Sequence, residues 1–146
     1  GDYIDRGPDS KGVIDYLMYL QEEEYNSRFL IGNHEDVFIR AYEAEFRKKK
    51  FFGIKFPNSI KNDWFEMYGQ ATFDSFGVKN IKDIPEKYIE WMKKLELYIE
   101  LEKYFLVHAG LNFSIENPLD DRDSMLWIRD YEIIPDKDSC RNRNNS

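Results

Sequence analysis

The feature that most constrains this chain is the alternation in its first fifty residues. Glycine-bearing loops, helical periods and a short apolar run follow one another with little between them. Residues 1–8, "GDYIDRGP", hold Gly, Asp and Pro and read as a loop. Asp9 is placed as an N-cap. Val13, Leu17 and Leu20 then recur at i, i+4 and i+7, with Ile14 and Met18 beside them, which predicts an amphipathic helix over 10–23. The acidic run at residues 22–24 opposes the helix dipole there and predicts fraying. Phe29, Leu30 and Ile31, closed by Gly32, predict a short buried strand. A second helix is expected over 35–49, with Val37, Ala41 and Ala44 on one face and Phe38, Tyr42 and Phe46 on the next. Loop, helix, strand, loop and helix in this order predict an α/β layer with parallel strands.

The remainder is less regular. Residues 51–97 read as a mostly helical insert, broken at Gly53, Pro57 and Asn58. Asp63 to Phe76 has a helical pattern with aromatics at Trp64, Phe65, Tyr68, Phe73 and Phe76. Another helix is expected from Pro85 through Trp91 to Leu95. In "LYIELEKYFLVHAG" the period changes to two. Ile99 and Leu101 alternate with Glu100 and Glu102, and Tyr104–Val107 is continuous and apolar. Two strands are predicted, the second buried, in one sheet with Phe29–Ile31, and ending at His108. "RKKKFFGIKF" reads as a solvated helix end followed by core aromatics. A polar, aperiodic tail over 136–146 is expected to be disordered, leaving one domain over 1–135.

Composition narrows the partners. A formal charge of −7 gives no general attraction to nucleic acid, so an anionic substrate must be drawn in by a metal or by a few arginines. No apolar run approaches the ~20 residues of a membrane span. A single cysteine, Cys140, excludes an internal disulfide and suits a reducing, cytoplasmic setting. It lies in the polar tail, in no setting for thiolate catalysis.

Chemistry concentrates in three loops: "GDYIDRG" (1–7), "GNHE" (32–35) and "HAG" (108–110). At least two follow predicted strands, and ligands of open α/β sheets gather at strand ends. The loops would bring Asp2, Asp5, Arg6, Asn33, His34, Glu35 and His108 to one edge. Carboxylate, amide and imidazole suit Mn, Fe or Zn, and neighbouring glycines allow a close backbone approach. Each residue has an ordinary explanation: an Asx-turn for an Asp, a helix cap for Asn-His-Glu, a surface ion pair for Arg6. Those explanations do not account for both histidines of the chain lying in glycine-flanked loops after apolar runs.

With these motifs in order, "GDYIDRGPDS", "GNHE" and "HAG", the chain resembles the calcineurin-like metallophosphoesterase superfamily, in its serine/threonine phosphatase branch. Further similarity to the bacterial and phage-type enzymes runs through "WFEMYGQATFDSFG" into "MLWIRD", so that residues 1–133 are covered. The resemblance implies a partial metallophosphoesterase fold, α/β, with sheet layers flanked by helices. Family members carry an upstream GD-x-H loop and a downstream histidine loop that this sequence lacks. The expectation is therefore an internal fragment with little activity, holding at most one metal ion weakly and prone to self-association.

The resemblance also implies roles. Asp2 matches the carboxylate that bridges two divalent ions. Asn33 and His108 match ligands of the second ion, and Asn33 also contacts the substrate phosphate. His34 matches the general acid, Asp5 its orienting partner and Arg6 a phosphate clamp. Arg129 is a candidate second clamp. The implied reaction is one-step phosphomonoester hydrolysis by metal-activated water, on a phosphorylated protein or a small phosphoester. The rival activity is that of a diadenosine-tetraphosphate hydrolase, and the non-enzymatic rival is a metal-binding scaffold.

Overall fold

The computed structural model describes residues 1–23, 25–47 and 68–129. Helix α1 spans Ser10–Glu22, α2 Asn33–Arg47, α3 Gln70–Phe76 and α4 Glu86–Lys93. Strands β1 (Tyr98–Glu100) and β2 (Phe105–Val107) and helix α5 (Arg122–Trp127) follow, with short 3-10 turns at Ile81–Asp83 and Pro118–Asp120. The polar tail, Cys140, the basic-aromatic stretch after Arg47, and Trp64 with Phe65 lie outside the described residues.

Helix α1 begins as its sequence dictates. The Asp9 carboxylate accepts from the Gly12 N–H at 2.8 Å, filling one of the unpaired donors of the first turn. Its buried face differs from the expected one. Ile14 is wholly buried, with Leu17 and Met18 packed beside it, while Val13 is exposed. The helix is rotated because α3 and α4 both grip its other side. Ser75 of α3 accepts from the Lys11 N–H at 2.8 Å, Tyr88 of α4 donates to Asp15 at 2.9 Å, and Trp91 donates to Gln21 at 2.7 Å.

Four helices share one core. Ile14, Phe38, Ala41, Phe73, Ile89 and Met92 meet at its centre, with Ile4 of the first loop among them. Each large side chain buried there contributes roughly 1.5–3 kcal/mol relative to exposure. Ile4 matters most for position, because it sinks the first loop into the core between Asp2 and Asp5.

The sheet is smaller than the sequence pattern suggests. Residues Phe29–Ile31 do not form a strand of the hairpin's sheet. Leu30 makes a single parallel bridge to Glu96, with Ile31 N–H donating to the Glu96 carbonyl at 2.8 Å and Glu96 N–H to that of Phe29 at 2.9 Å. Helix α2 starts two residues after Ile31, so pairing has no length in which to propagate. The hairpin itself is antiparallel, with Tyr98 opposite Val107 and Glu100 opposite Phe105. Nor is β2 buried: Leu106 is exposed and Tyr104 lies on the surface. Tyr98 and Phe105 instead stack on each other, with ring centroids 4.9 Å apart.

Candidate metal centre and its buried support

Asn33, His34 and Glu35 of "GNHE" open the first turn of α2, which begins two residues earlier than its apolar period implies. This turn projects Asn33, His34, Glu35 and Asp36 in four directions, and each makes a different connection.

Glu35 points back beneath the first loop. It is wholly buried, and its two oxygens accept four backbone N–H groups: Asp2 at 2.8 Å, Tyr3 at 2.7 Å, Ile4 at 3.3 Å and Gly32 at 2.9 Å. Three successive N–H groups around one anion form a nest. This arrangement holds an otherwise costly backbone at Asp2, while the Asp5 N–H goes to Ser10 and Thr72. Asp2 (φ 63°) and Asp5 (φ 84°) both occupy the left-handed region, which is strained for residues with a Cβ. The position of Glu35 at the N-terminus of α2 also favours its charge. The same charge, after burial itself, pushes the Tyr3 phenol up to about 12, so Tyr3 serves as a neutral packing residue.

The loops touch at their glycines. A Cβ on Gly1 would stand 2.6 Å from the Gly32 Cα and 2.8 Å from the His108 ring, and a Cβ on Gly32 would strike Asp2. Only hydrogen at these two positions lets the three loops close.

Above this floor the side chains converge. His108 Nε2 lies 3.1 Å from Asn33 Oδ1 and 3.3 Å from Asp2 Oδ1. Both neighbours are acceptors, so the ring nitrogen either shares one proton between them or lets all three face a cation. Donors bound to one ion at about 2.1 Å, at right angles, stand about 3 Å apart. Asp2, Asn33 and His108 therefore fit one face of a coordination shell for Mn, Fe or Zn. Among the described residues no three His, Cys, Asp or Glu side chains form a metal site by themselves, and the third donor here is an amide oxygen.

His34 sits on the other side of Asp2. Its Nδ1 is 2.7 Å from Asp5 Oδ2, in a setting almost free of solvent, while Nε2 faces Asp2 Oδ2 at 4.0 Å. The hydrogen bond to Asp5 raises the His34 pKa above the ordinary value. Burial and the Arg6 charge oppose that rise, and the Asp2 charge adds to it. Tyr68 packs edge-on against the His34 ring at 4.8 Å and lies under the Arg6 guanidinium, 5.9 Å from ring centroid to Cζ. Arg6 is thereby aimed along the rim of the site.

His108 follows β2 directly, and the Ala109 N–H donates to the Met125 carbonyl of α5 at 2.8 Å. Helix α5 is in turn held on α2, where Arg122 donates to Asp36 at 2.7 Å. Arg129, two residues beyond α5, is exposed and makes no side-chain hydrogen bond or ion pair with another described residue. The structure thus gathers Asp2, Asp5, Asn33, His34 and His108, places Arg6 beside them, and does not connect Arg129 to them.

Comparison with known families decides the assignment. The profile of the calcineurin-like phosphoesterases matches residues 1–143. The chain belongs to that family. No curated protein and no solved structure matches it. As a calcineurin-like phosphoesterase it is a hydrolase type that works with divalent metal ions on phosphoesters. No helix among the described residues is long and apolar enough to cross a membrane.

The supporting contacts of two buried residues were not read from the sequence. Glu35 was placed at the site without its role, although an acid in the first turn of a helix was a usable signal. Thr72 gave none, for its partner Asp5 is 67 residues away.

Proposed function

We propose that this calcineurin-like phosphoesterase is a phosphomonoesterase of the serine/threonine protein phosphatase branch, acting on phosphorylated protein in a reducing compartment. The observation that carries the reading is the pairing of two unlike histidines about Asp2: one among metal-type donors, one bound to a buried carboxylate. Divalent ions held by Asp2, Asn33 and His108 would neutralise phosphoryl oxygens and acidify water. The chain's own groups complete the chemistry. Arg6 offers a planar fork to phosphate oxygens at the open rim. The Asn33 amide can contact the same phosphate. Asp5 fixes the His34 ring through Nδ1, leaving Nε2 directed at the site to give its proton to the leaving oxygen. Arg129 would serve as a second clamp once substrate brings it closer.

With one complete donor face, the 146-residue chain is expected to take up one Mn or Zn ion weakly and to hydrolyse p-nitrophenyl phosphate slowly. Metal analysis and kinetics on variants test the roles together. His108→Ala should lose the metal; His34→Ala should keep it and lose turnover. The metal assignment fails if His108→Ala binds as tightly as the parent. Hydrolysis of diadenosine tetraphosphate in preference to a phosphopeptide would favour the small-molecule branch, and metal binding without any hydrolysis would favour a scaffold.

A further inference from the structure

Behind the His34–Asp5 pair lies a second layer of buried polar groups that metal ligation does not use. Thr72 of α3 and Ser10 of α1 are both buried. Thr72 Oγ1 is 2.6 Å from Asp5 Oδ1, and the Asp5 N–H points at Thr72 Oγ1 (3.0 Å) and Ser10 Oγ (3.1 Å). The two hydroxyls are 3.4 Å apart.

Proton bookkeeping makes this layer directional. An ionised carboxylate only accepts, so the Thr72 hydroxyl must donate to Asp5 Oδ1. That uses its single proton. The Ser10 hydroxyl must then be the donor between the two hydroxyls, and Thr72 Oγ1 is left to accept from Ser10 and from the Asp5 N–H. On the other side, Asp5 Oδ2 accepts a hydrogen bond from the His34 Nδ1–H. The order Ser10, Thr72, Asp5, His34 has one consistent sense, and it ends with the His34 Nε2 facing the site.

We propose that Thr72 is a positioning residue for His34. By holding one oxygen of Asp5, it fixes the carboxylate plane and so the rotation of the imidazole. Thr72 holds both the backbone N–H and one carboxylate oxygen of Asp5, which sits at positive φ. The role rests on the reading of His34 as the group that meets substrate, but its test need not.

The test uses the whole 146-residue chain labelled with ¹⁵N-histidine. The chain has two histidines, so a His108→Ala variant assigns the spectrum. The parent should show a slowly exchanging Nδ1–H on His34. Thr72→Val should speed that exchange by about tenfold, the worth of one hydrogen bond, and Thr72→Ser should restore it. If Thr72→Val does not fold, Ser10→Ala decides, with a smaller increase expected. Unchanged exchange in the folded variant overturns the proposal, as does failure of Thr72→Ser to restore it or absence of the Nδ1–H signal in the parent. Manganese titration of the same samples keeps the functional reading separate. No paramagnetic broadening at His108 would defeat the metal assignment while leaving the Thr72 result standing.

Discussion

The two histidines lie on either side of Asp2, yet they belong to differently built regions. The His34 side chain is 3% exposed, that of His108 19%. His34 rises from α2, whose underside is the shared helical core, and its immediate neighbours are buried polar groups that satisfy one another. His108 follows a three-residue strand with an exposed face, held by its pairing with β1, the Ala109–Met125 backbone hydrogen bond, the Arg122–Asp36 contact and the bridge from Leu30 to Glu96. The first region is defined by packing and desolvation, the second by tethers. One consequence is that damage to the first is paid in stability, and damage to the second in geometry.

The sharpest way to break that contrast is Glu35→Ala. It removes the wholly buried acceptor of four N–H groups beneath the first loop. A loss of roughly 3–5 kcal/mol is expected, the range for deleting one partner of a buried charged network. Urea unfolding measures it, and a loss under about 1 kcal/mol would mean that the loop is held otherwise. Arg122→Ala should have a smaller effect on stability, at most about 1 kcal/mol, because Arg122 is half exposed and Arg40 still lies 2.7 Å from Asp36. Its stronger effect should appear in geometry. Manganese affinity should fall as α5 and the His108 loop loosen, while the His34 Nδ1–H is unchanged. Equal disturbance of both histidines would show that the two regions are one. The smallest effect is expected from Arg28→Ala. It removes a surface ion pair with Glu96, and such pairs contribute about 0–1 kcal/mol. Thermal unfolding should hardly move, and a large shift would show that the Leu30–Glu96 bridge bears more of the fold than its length suggests.

How much of this was legible in the sequence follows the same division. The helices were readable because their periods and caps are local: Asp9 announces α1, and Phe38 and Ala41 share a buried face of α2. Asp2, Asn33 and His108 were readable because each lies beside a glycine in a short motif, and Gly1 and Gly32 prove to have no room for a side chain. The sheet was overestimated, since an apolar triplet such as Phe29–Ile31 records burial and not hydrogen-bond pairing. The positive φ of Asp2 and Asp5 was hidden, because it is held by partners the sequence does not pair with them: Glu35 for Asp2, and Ser10 with Thr72 for Asp5. Thr72 was hidden for a related reason: a buried hydroxyl in a helix has no pattern until its partner is known.

The nest around Glu35 has a further consequence, in the order of folding. Its bonds to the first loop span 31 to 33 residues, and the contact of Thr72 with Asp5 spans 67. Closing such loops costs chain entropy before any bond is gained. Asp2 cannot rest in its native backbone state until α2 has docked, and Asp5, whose N–H also reaches Ser10 nearby, is completed only when α3 brings Thr72. The reactive loop is therefore a late product of folding, and the amides of Asp2, Tyr3 and Ile4 should exchange only through openings that also release α2 from the core.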